Sequence, residues 1–218
     1  MSQPELPPIN VGDREQRVAQ ALATYEIDAL LVTSPTNIRW LTGFAGSAGT
    51  VLVHGDEITL FTDSRYTDRA PGELADVSSS ADIVVARATL GAEVRYLAGR
   101  TEVVGLEADH VTWAQQQLIE QDWLPKQALV PTTALVDGLR SRKDDAEIAR
   151  IEAAAGIVDT ALAEVSPLLA DRLTERDFAR ALNAAIRSAG ADDLDGNFKV
   201  SFGGQTTIAL AKDVSAGG

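Results

Sequence analysis

The sequence contains no cysteine. Disulfides, zinc–thiolate centres and a cysteine nucleophile are therefore excluded. Only two histidines, His54 and His110, are present, so any imidazole chemistry rests on those two positions. Basic residues are also scarce: 19 Lys and Arg stand against 32 Asp and Glu, for a formal net charge of -13. Nucleic acid is bound through clustered Lys and Arg. The densest basic run, Arg140-Ser141-Arg142-Lys143, is followed at once by Asp144, Asp145 and Glu147. It reads as a solvated linker, and nucleic acid is not expected as a partner. No uninterrupted apolar run approaches the ~20 residues that span a bilayer. Residues 1–11 hold three prolines and no apolar h-region, so they are not read as a signal peptide. No membrane partner and a cytoplasmic location are the expectation.

What is present suits a packed protein. Apolar residues make up 45% of 218, enough for one large or two small domains. Asp13–Glu26 has helical spacing, with Val18, Leu22 and Tyr25 on one face. Ala29-Leu30-Leu31-Val32 is a continuous apolar run, as in a strand covered on both faces. Pro35 suits the first turn of a short helix carrying Ile38, Trp40 and Leu41. A loop of small residues, Gly43 to Gly49, leads to Thr50–Val53, a tight turn at His54-Gly55-Asp56, and a returning strand Ile58–Phe61. Strand signals at Ile83–Val85, Val103–Leu106 and Ala128–Val130 then alternate with helical ones at Leu90–Ala98 and Val111–Trp123, the last with Trp113, Gln117 and Glu120 at helical spacing. The sum is an α/β domain with a mixed sheet and flanking helices.

A boundary falls near Leu139–Lys143, where strand signals stop. Ile148, Ile151, Ala155, Val158, Leu162 and Val165 step by three and four, a narrow apolar seam on one long helix. Pro167 should end that helix near Val165. Thr174 can cap a second helix, with Asp177 as its capping-box partner, and Gly190 suits its C-terminal stop. Two such helices should pair as an antiparallel hairpin.

Candidate chemistry is thin. Gly46-Ser47-Ala48-Gly49 lies close to a nucleophile elbow, with Asp63 and His110 as imaginable partners, but an elbow needs a strand before the serine and a helix after it. Here the order is reversed, and small residues packing a loop against a sheet is the better account. The same glycines lack the spacing and context of a dinucleotide fingerprint. His110, with Glu107 and Asp109, could form a metal cluster, yet Asp109 is better placed to cap the following helix. Asp192, Asp193, Asp195 and Asn197 miss the glycine and glutamate that a calcium loop requires. Asp63 and Arg65, where a strand gives way to a helix, can be a cap and a carboxylate partner, or line a ligand edge.

Taken in order, several segments resemble the N-terminal domain of the Xaa-Pro peptidase family (aminopeptidase P, prolidase, creatinase). They are Asp28–Val32, Asn37–Phe44, Gly46–Thr50, Leu60–Tyr66 and Val104–Glu107. Leu139–Lys143 with Asp144, Glu147 and Ile148, and Leu173–Phe178, are similar to the interdomain linker and first two catalytic-domain helices of that family. The resemblance implies a ribonuclease-H-like creatinase N-terminal domain at 12–138 after a tail at 1–11, then an incomplete start of a pita-bread metallopeptidase domain at 139–218. It implies hydrolysis of an Xaa-Pro bond by two divalent metals, typically manganese, held by Asp, His and Glu ligands. No histidine follows His110, and Leu210-Ala211 stand where the family carries a Pro-His pair. No catalytic residue, metal ligand or cofactor is therefore expected in this chain, and it is expected to be inactive alone. Proline-containing peptides are expected as partners only with a complete catalytic domain. Arg65 and Tyr66 would line a substrate entrance. The alternatives are a non-catalytic dimerisation or binding module, self-associating through the N-terminal domain or the helical seam, and a creatinase-type amidinohydrolase relative.

Overall fold

The sheet is built around Ala29–Val32 (β1), in which all four residues are buried. A strand with no polar position needs cover on both faces, and it obtains it. In this computed structural model, residues 6–87, 89–171, 174–191, 199–201 and 207–209 are described. The chain divides into two compact units: Pro8–Asp144, and Met1–Pro7 with Asp145–Gly218. The first is a few residues wider at each end than the expected 12–138. Val11, placed in the expected tail, is fully buried and donates its N–H to the Val77 carbonyl at 3.0 Å.

In the first unit, Gly12–Thr24 (α1) precedes β1 and Pro35–Thr42 (α2) follows it. Gly49–His54 (β2) and Glu57–Thr62 (β3) form the hairpin, Ala70–Asp76 is α3 and Asp82–Val85 is β4. Then come Leu90–Ala98 (α4), Val103–Glu107 (β5), Trp113–Leu118 (α5), Ala128–Thr132 (β6) and Leu135–Ser141 (α6). The strand order is β4-β3-β2-β1-β5-β6. β2 runs antiparallel to both neighbours and every other pairing is parallel. Alternation within each strand splits the core between the two faces. Leu30, Val32, Val51 and Leu60 point toward α1, α2, α3 and α6. Leu31, Leu52, Phe61 and Leu106 point toward α4 and the turn after α5. This is the mixed α/β sheet with flanking helices that the strand and helix signals indicate.

Several local expectations are corrected. Val111–Trp123 is not one α-helix, because α5 ends at Leu118 and a wider π turn, Ile119–Trp123, follows. The wide turn brings Ile119 into the core, at 2% exposure, while Trp113 stands 75% exposed. Asp109 does not cap α5. Thr112 does, in a reciprocal box with Gln115, and the Asp109 carboxylate instead accepts from the Ala134 N–H at 2.9 Å. Tyr25 lies past the end of α1 and is exposed.

In the basic run, Ser141, Arg142 and Lys143 are exposed, as a solvated linker should be, whereas Arg140 sits on α6 and bonds Asn37 and Asp137. Leu135 and Val136 anchor α6 in the core. Arg17 donates to the Leu139 carbonyl at 2.7 Å. Arg14, itself buried, donates to Asp144 at 3.0 Å and to the Trp40 carbonyl at 3.0 Å. Both guanidinium groups lie near the Trp40 ring, 5.3 and 5.8 Å from its centroid. A buried cation of this kind persists only with such partners.

In the second unit, Asp145–Val165 (α7) runs into a 3-10 turn, Ser166–Asp171, and Glu175–Ser188 is α8. The Thr174 hydroxyl caps α8, accepting from the Asp177 N–H at 3.2 Å. Ala161 and Val165 pack against Phe178, Ala179, Leu182, Ala185 and Ile186. Lys199–Ser201 (β7) pairs antiparallel with Thr207–Ala209 (β8). The acidic cluster at Asp192–Asp195 lies outside the described residues. The seam divides: Val165 is buried, whereas Ile148, Ile151, Val158 and Leu162 are 42, 54, 40 and 38% exposed. By length and composition alone, Asp145–Ala170 is long and apolar enough to cross a membrane. Asp159 and Glu164 interrupt it, which is why no uninterrupted apolar run registers there.

Candidate functional site

Five of the six strands point the same way, so their carboxyl ends and the start of β2 share one edge. The chain order reverses there. From β1 it proceeds outward through β2, β3 and β4, then returns to place β5 on the other side of β1. α2 packs on one face and the turn after α5 on the opposite face, so the loops after β1 and β5 diverge. Such a point leaves a crevice at the carboxyl edge. Here it is a cleft of about 460 Å³, lined in part by Thr33, Ser34, Ser47, His110, Ile119 and Trp123.

Two polar clusters flank it. In the first, the Tyr66 hydroxyl accepts from the Ser47 N–H at 2.9 Å and shares a hydrogen bond of 2.9 Å with the Ser47 hydroxyl. These bonds stabilise the phenolate and hold the Tyr66 pKa below its ordinary value. Tyr66 also meets Phe44 edge to face at 5.2 Å. Gly46 lies between the two rings: a Cβ there would fall 2.7 Å from Tyr66 and 2.8 Å from Phe44. The loop Gly43–Gly49 is small-residued because aromatic rings occupy the space. Asp63 accepts from the Arg65 N–H at 3.0 Å and pairs with the Arg65 guanidinium at 2.7 Å. The Arg65 hydrogen bond holds the Asp63 carboxyl below the usual carboxylate range, and Asp63 in turn raises Arg65.

The second cluster crosses between elements. Glu107, buried at the end of β5, accepts from the backbone N–H groups of Thr33 at 2.6 Å and Ser34 at 2.8 Å. It also accepts from the Asn37 amide at 2.7 Å. Asn37 accepts from Arg140 at 3.0 Å, Arg140 donates to Asp137 at 2.8 Å, and the other Asp137 oxygen meets His110 Nε2 at 2.9 Å. Burial, the largest single influence on Asp137, raises its pKa, but His110 and Arg140 together outweigh it and the net direction is down.

Sequence reasoning named Ser47, Asp63, Arg65, Tyr66, Glu107 and His110, and all of them lie along this edge. Their partnerships are different. Ser47 bonds Tyr66, while His110 bonds Asp137 and Asp63 bonds Arg65, so the imagined triad does not assemble among the described bonds. The Ser47 N–H, which an oxyanion hole would need, is already engaged. Glu107, Asp109 and His110 turn to separate partners and do not converge. Among the described residues no group of three or more His, Asp or Glu could hold a metal ion, so the residues described do not fit a two-metal centre. Arg65 is 64% exposed at its side chain, and neither it nor Tyr66 lines the cleft. Asn37, Asp137 and Arg140 were not legible as site residues. Their one sequence signal is that Glu107 ends an otherwise apolar strand.

Residues 14–142 match the family model of the Creatinase/Prolidase N-terminal domain. The chain belongs to this family. Over 190 residues it is 30% identical to an uncharacterized peptidase, YqhT, of Bacillus subtilis, covering 84% of this chain and 51% of that one. It is 28% identical over 185 residues to a putative Xaa-Pro aminopeptidase of Mycoplasma pneumoniae, covering 82% and 49%. Among solved structures, the Xaa-Pro dipeptidase from Bacillus anthracis superposes with a TM-score of 0.73 at 26% identity, covering 84% of this chain and 50% of that one. The N-terminal domain of the cytoplasmic peptidase PepQ from Mycobacterium tuberculosis matches with a TM-score of 0.50 at 30% identity, covering 59% and 98%. The chain thus spans about half the length of the Bacillus subtilis, Mycoplasma pneumoniae and Bacillus anthracis relatives it matches.

Proposed function

We propose that this chain is the non-hydrolytic half of an Xaa-Pro peptidase. On this reading its first unit supports and borders a peptide site, and the metal chemistry belongs to residues that the described units do not supply. The observation that carries it is the pairing at the sheet edge. Among the described residues, Asp63 is bound to Arg65, Ser47 to Tyr66 and His110 to Asp137, so Ser47, Asp63 and His110 form no nucleophile–base–carboxylate chain. Two divalent metals, typically manganese, would be the cofactors of the complete enzyme, and proline-containing peptides its substrates. Arg65 and Tyr66, on an exposed turn held by Asp63 and Ser47, are assigned to the border of the entrance. The cytoplasmic setting of the PepQ peptidase is the setting proposed for this chain. The test is manganese-dependent release of the first residue from an Xaa-Pro peptide by the pure 218-residue chain. No release above the metal-only blank is expected, and Ser47 should not react with a fluorophosphonate probe. Turnover would overturn the reading.

A second reading is favoured by one observation, the exposed row Ile148, Ile151, Val158 and Leu162 on α7. It makes the chain a self-associating module, since exposed apolar rows of this kind favour association.

A further inference from the structure

We infer that the cleft between the loops after β1 and β5 is a binding site for a small uncharged molecule with an apolar body and one carboxamide-type edge. This goes beyond the peptidase reading and stands without it. Among the described residues that line the cleft, His110 is the sole ionisable side chain, and none is Asp, Glu, Lys or Arg. A charged ligand would surrender hydration on entry and meet no permanent opposite charge, whereas a neutral one escapes that cost. A volume of about 460 Å³ lies in the range of small-molecule sites. One wall is Leu90, Leu118, Ile119 and Trp123. Trp123 is held in place because α4 has a glycine beneath it: a Cβ on Gly91 would fall 2.8 Å from the indole Cγ.

The polar capacity is specific. The Nε2 atom of His110 meets an Asp137 carboxylate oxygen at 2.9 Å. A carboxylate only accepts, so in a neutral imidazole Nε2 carries the hydrogen and Nδ1 keeps a lone pair. Asp137 does not line the cleft and His110 does, and Nδ1 is the ring nitrogen that enters no described bond. Gln115, also in the lining, uses its carbonyl oxygen to accept from the Thr112 N–H and hydroxyl. Its two amide N–H donors enter no described bond. An acceptor on His110 and N–H donors on Gln115 in one lining suit a carboxamide, whose NH₂ would donate to His110 Nδ1 and whose carbonyl would accept from Gln115.

The test is an NMR titration of the full chain with phenylacetamide and with phenylacetate, which share a ring and differ in charge. It is run at mildly alkaline pH, where imidazole is neutral. With two histidines in the chain, the His110 imidazole signals are read directly against those of His54, in the distant β2–β3 turn. The Trp123 indole signal is assigned from its loss in Trp123→Phe. Phenylacetamide is expected to shift His110 and Trp123 saturably, with a dissociation constant on the order of millimolar for so small a ligand, while His54 stays still. Phenylacetate is expected to bind about tenfold more weakly or not at all. Leu118→Trp fills the cleft from a side chain that is already 44% exposed, so it should abolish the shifts without lowering the melting temperature. Absence of a saturable His110 shift, equal affinity for the two compounds, or undiminished binding in Leu118→Trp would each overturn the site.

Discussion

At the scale of single residues, the groups that matter here are those whose partners lie far away in sequence. Asp28, just before β1, accepts from the backbone N–H groups of Glu102 at 2.9 Å and Val103 at 2.8 Å, closing the start of β5. Those bonds, the Val103 one largest, hold its carboxyl below the usual value. A depressed carboxylate contributes stability that is complete above its unfolded pKa, near 3.9. That contribution is lost as pH falls through the lower folded value. Asp28→Asn should therefore lower stability at neutral pH by about 1 kcal/mol, an exposed site keeping the figure small. The difference from wild type should shrink as urea midpoints are measured below about pH 4. An undiminished difference at acid pH would contradict the assignment. Asp28 shows how little of such a role is legible beforehand. Its position before an apolar strand was plain, but the two N–H groups it satisfies lie more than 70 residues away.

At the scale of elements, periodicity located most helices and strands but did not single out α3 or α6, and it failed where tertiary contacts outweighed local pattern. The Val111–Trp123 segment has helical spacing throughout, but only Trp113–Leu118 is α-helical; the chain then widens into a π turn whose Ile119 and Trp123 pack with the α4 residues Val94 and Ala98, at the expense of regular hydrogen bonding. The basic run is solvated from Ser141 to Lys143, but sequence cannot show that Arg17 and Arg14 reach the flanking Leu139 and Asp144 from α1. On α7 the sequence seam is apolar, but burial follows the face that meets α8. The remainder should drive self-association. We expect the chain to sediment as dimers or larger species at micromolar concentration, and Ile151→Lys with Val158→Lys to shift it to monomer. The lysines reduce the net charge of -13, so charge repulsion would not account for the dissociation. Because both sites are exposed, the melting temperature should hardly move. A wild-type monomer would sink the self-association reading.

At the scale of the molecule, the two compact units have separate cores: the first is two-faced around a six-stranded sheet, and the second is built from α7 and α8. Independent cores predict independent unfolding. A fragment of residues 8–144 should fold alone and melt in one cooperative transition coincident with one of the two transitions of the full chain. Calorimetry of fragment and full chain checks this, and a fragment without a cooperative transition would refute it. The sequence by itself determined the family, the α/β class, the strand and helix order, and the edge on which the candidate groups lie. The class and the element order follow from apolar periodicity and turn residues, and the family from the resemblance of ordered motifs such as Asn37–Phe44 and Leu60–Tyr66; all are local properties. The tertiary structure alone decided which groups are partners: Ser47 with Tyr66, His110 with Asp137, Glu107 with the loop after β1. It also decided that a cleft opens between the loops after β1 and β5. Hydrogen bonds at a sheet edge join residues by proximity across strands, and that proximity is set by strand order and by the faces the helices choose, neither of which is written in any local stretch of the chain.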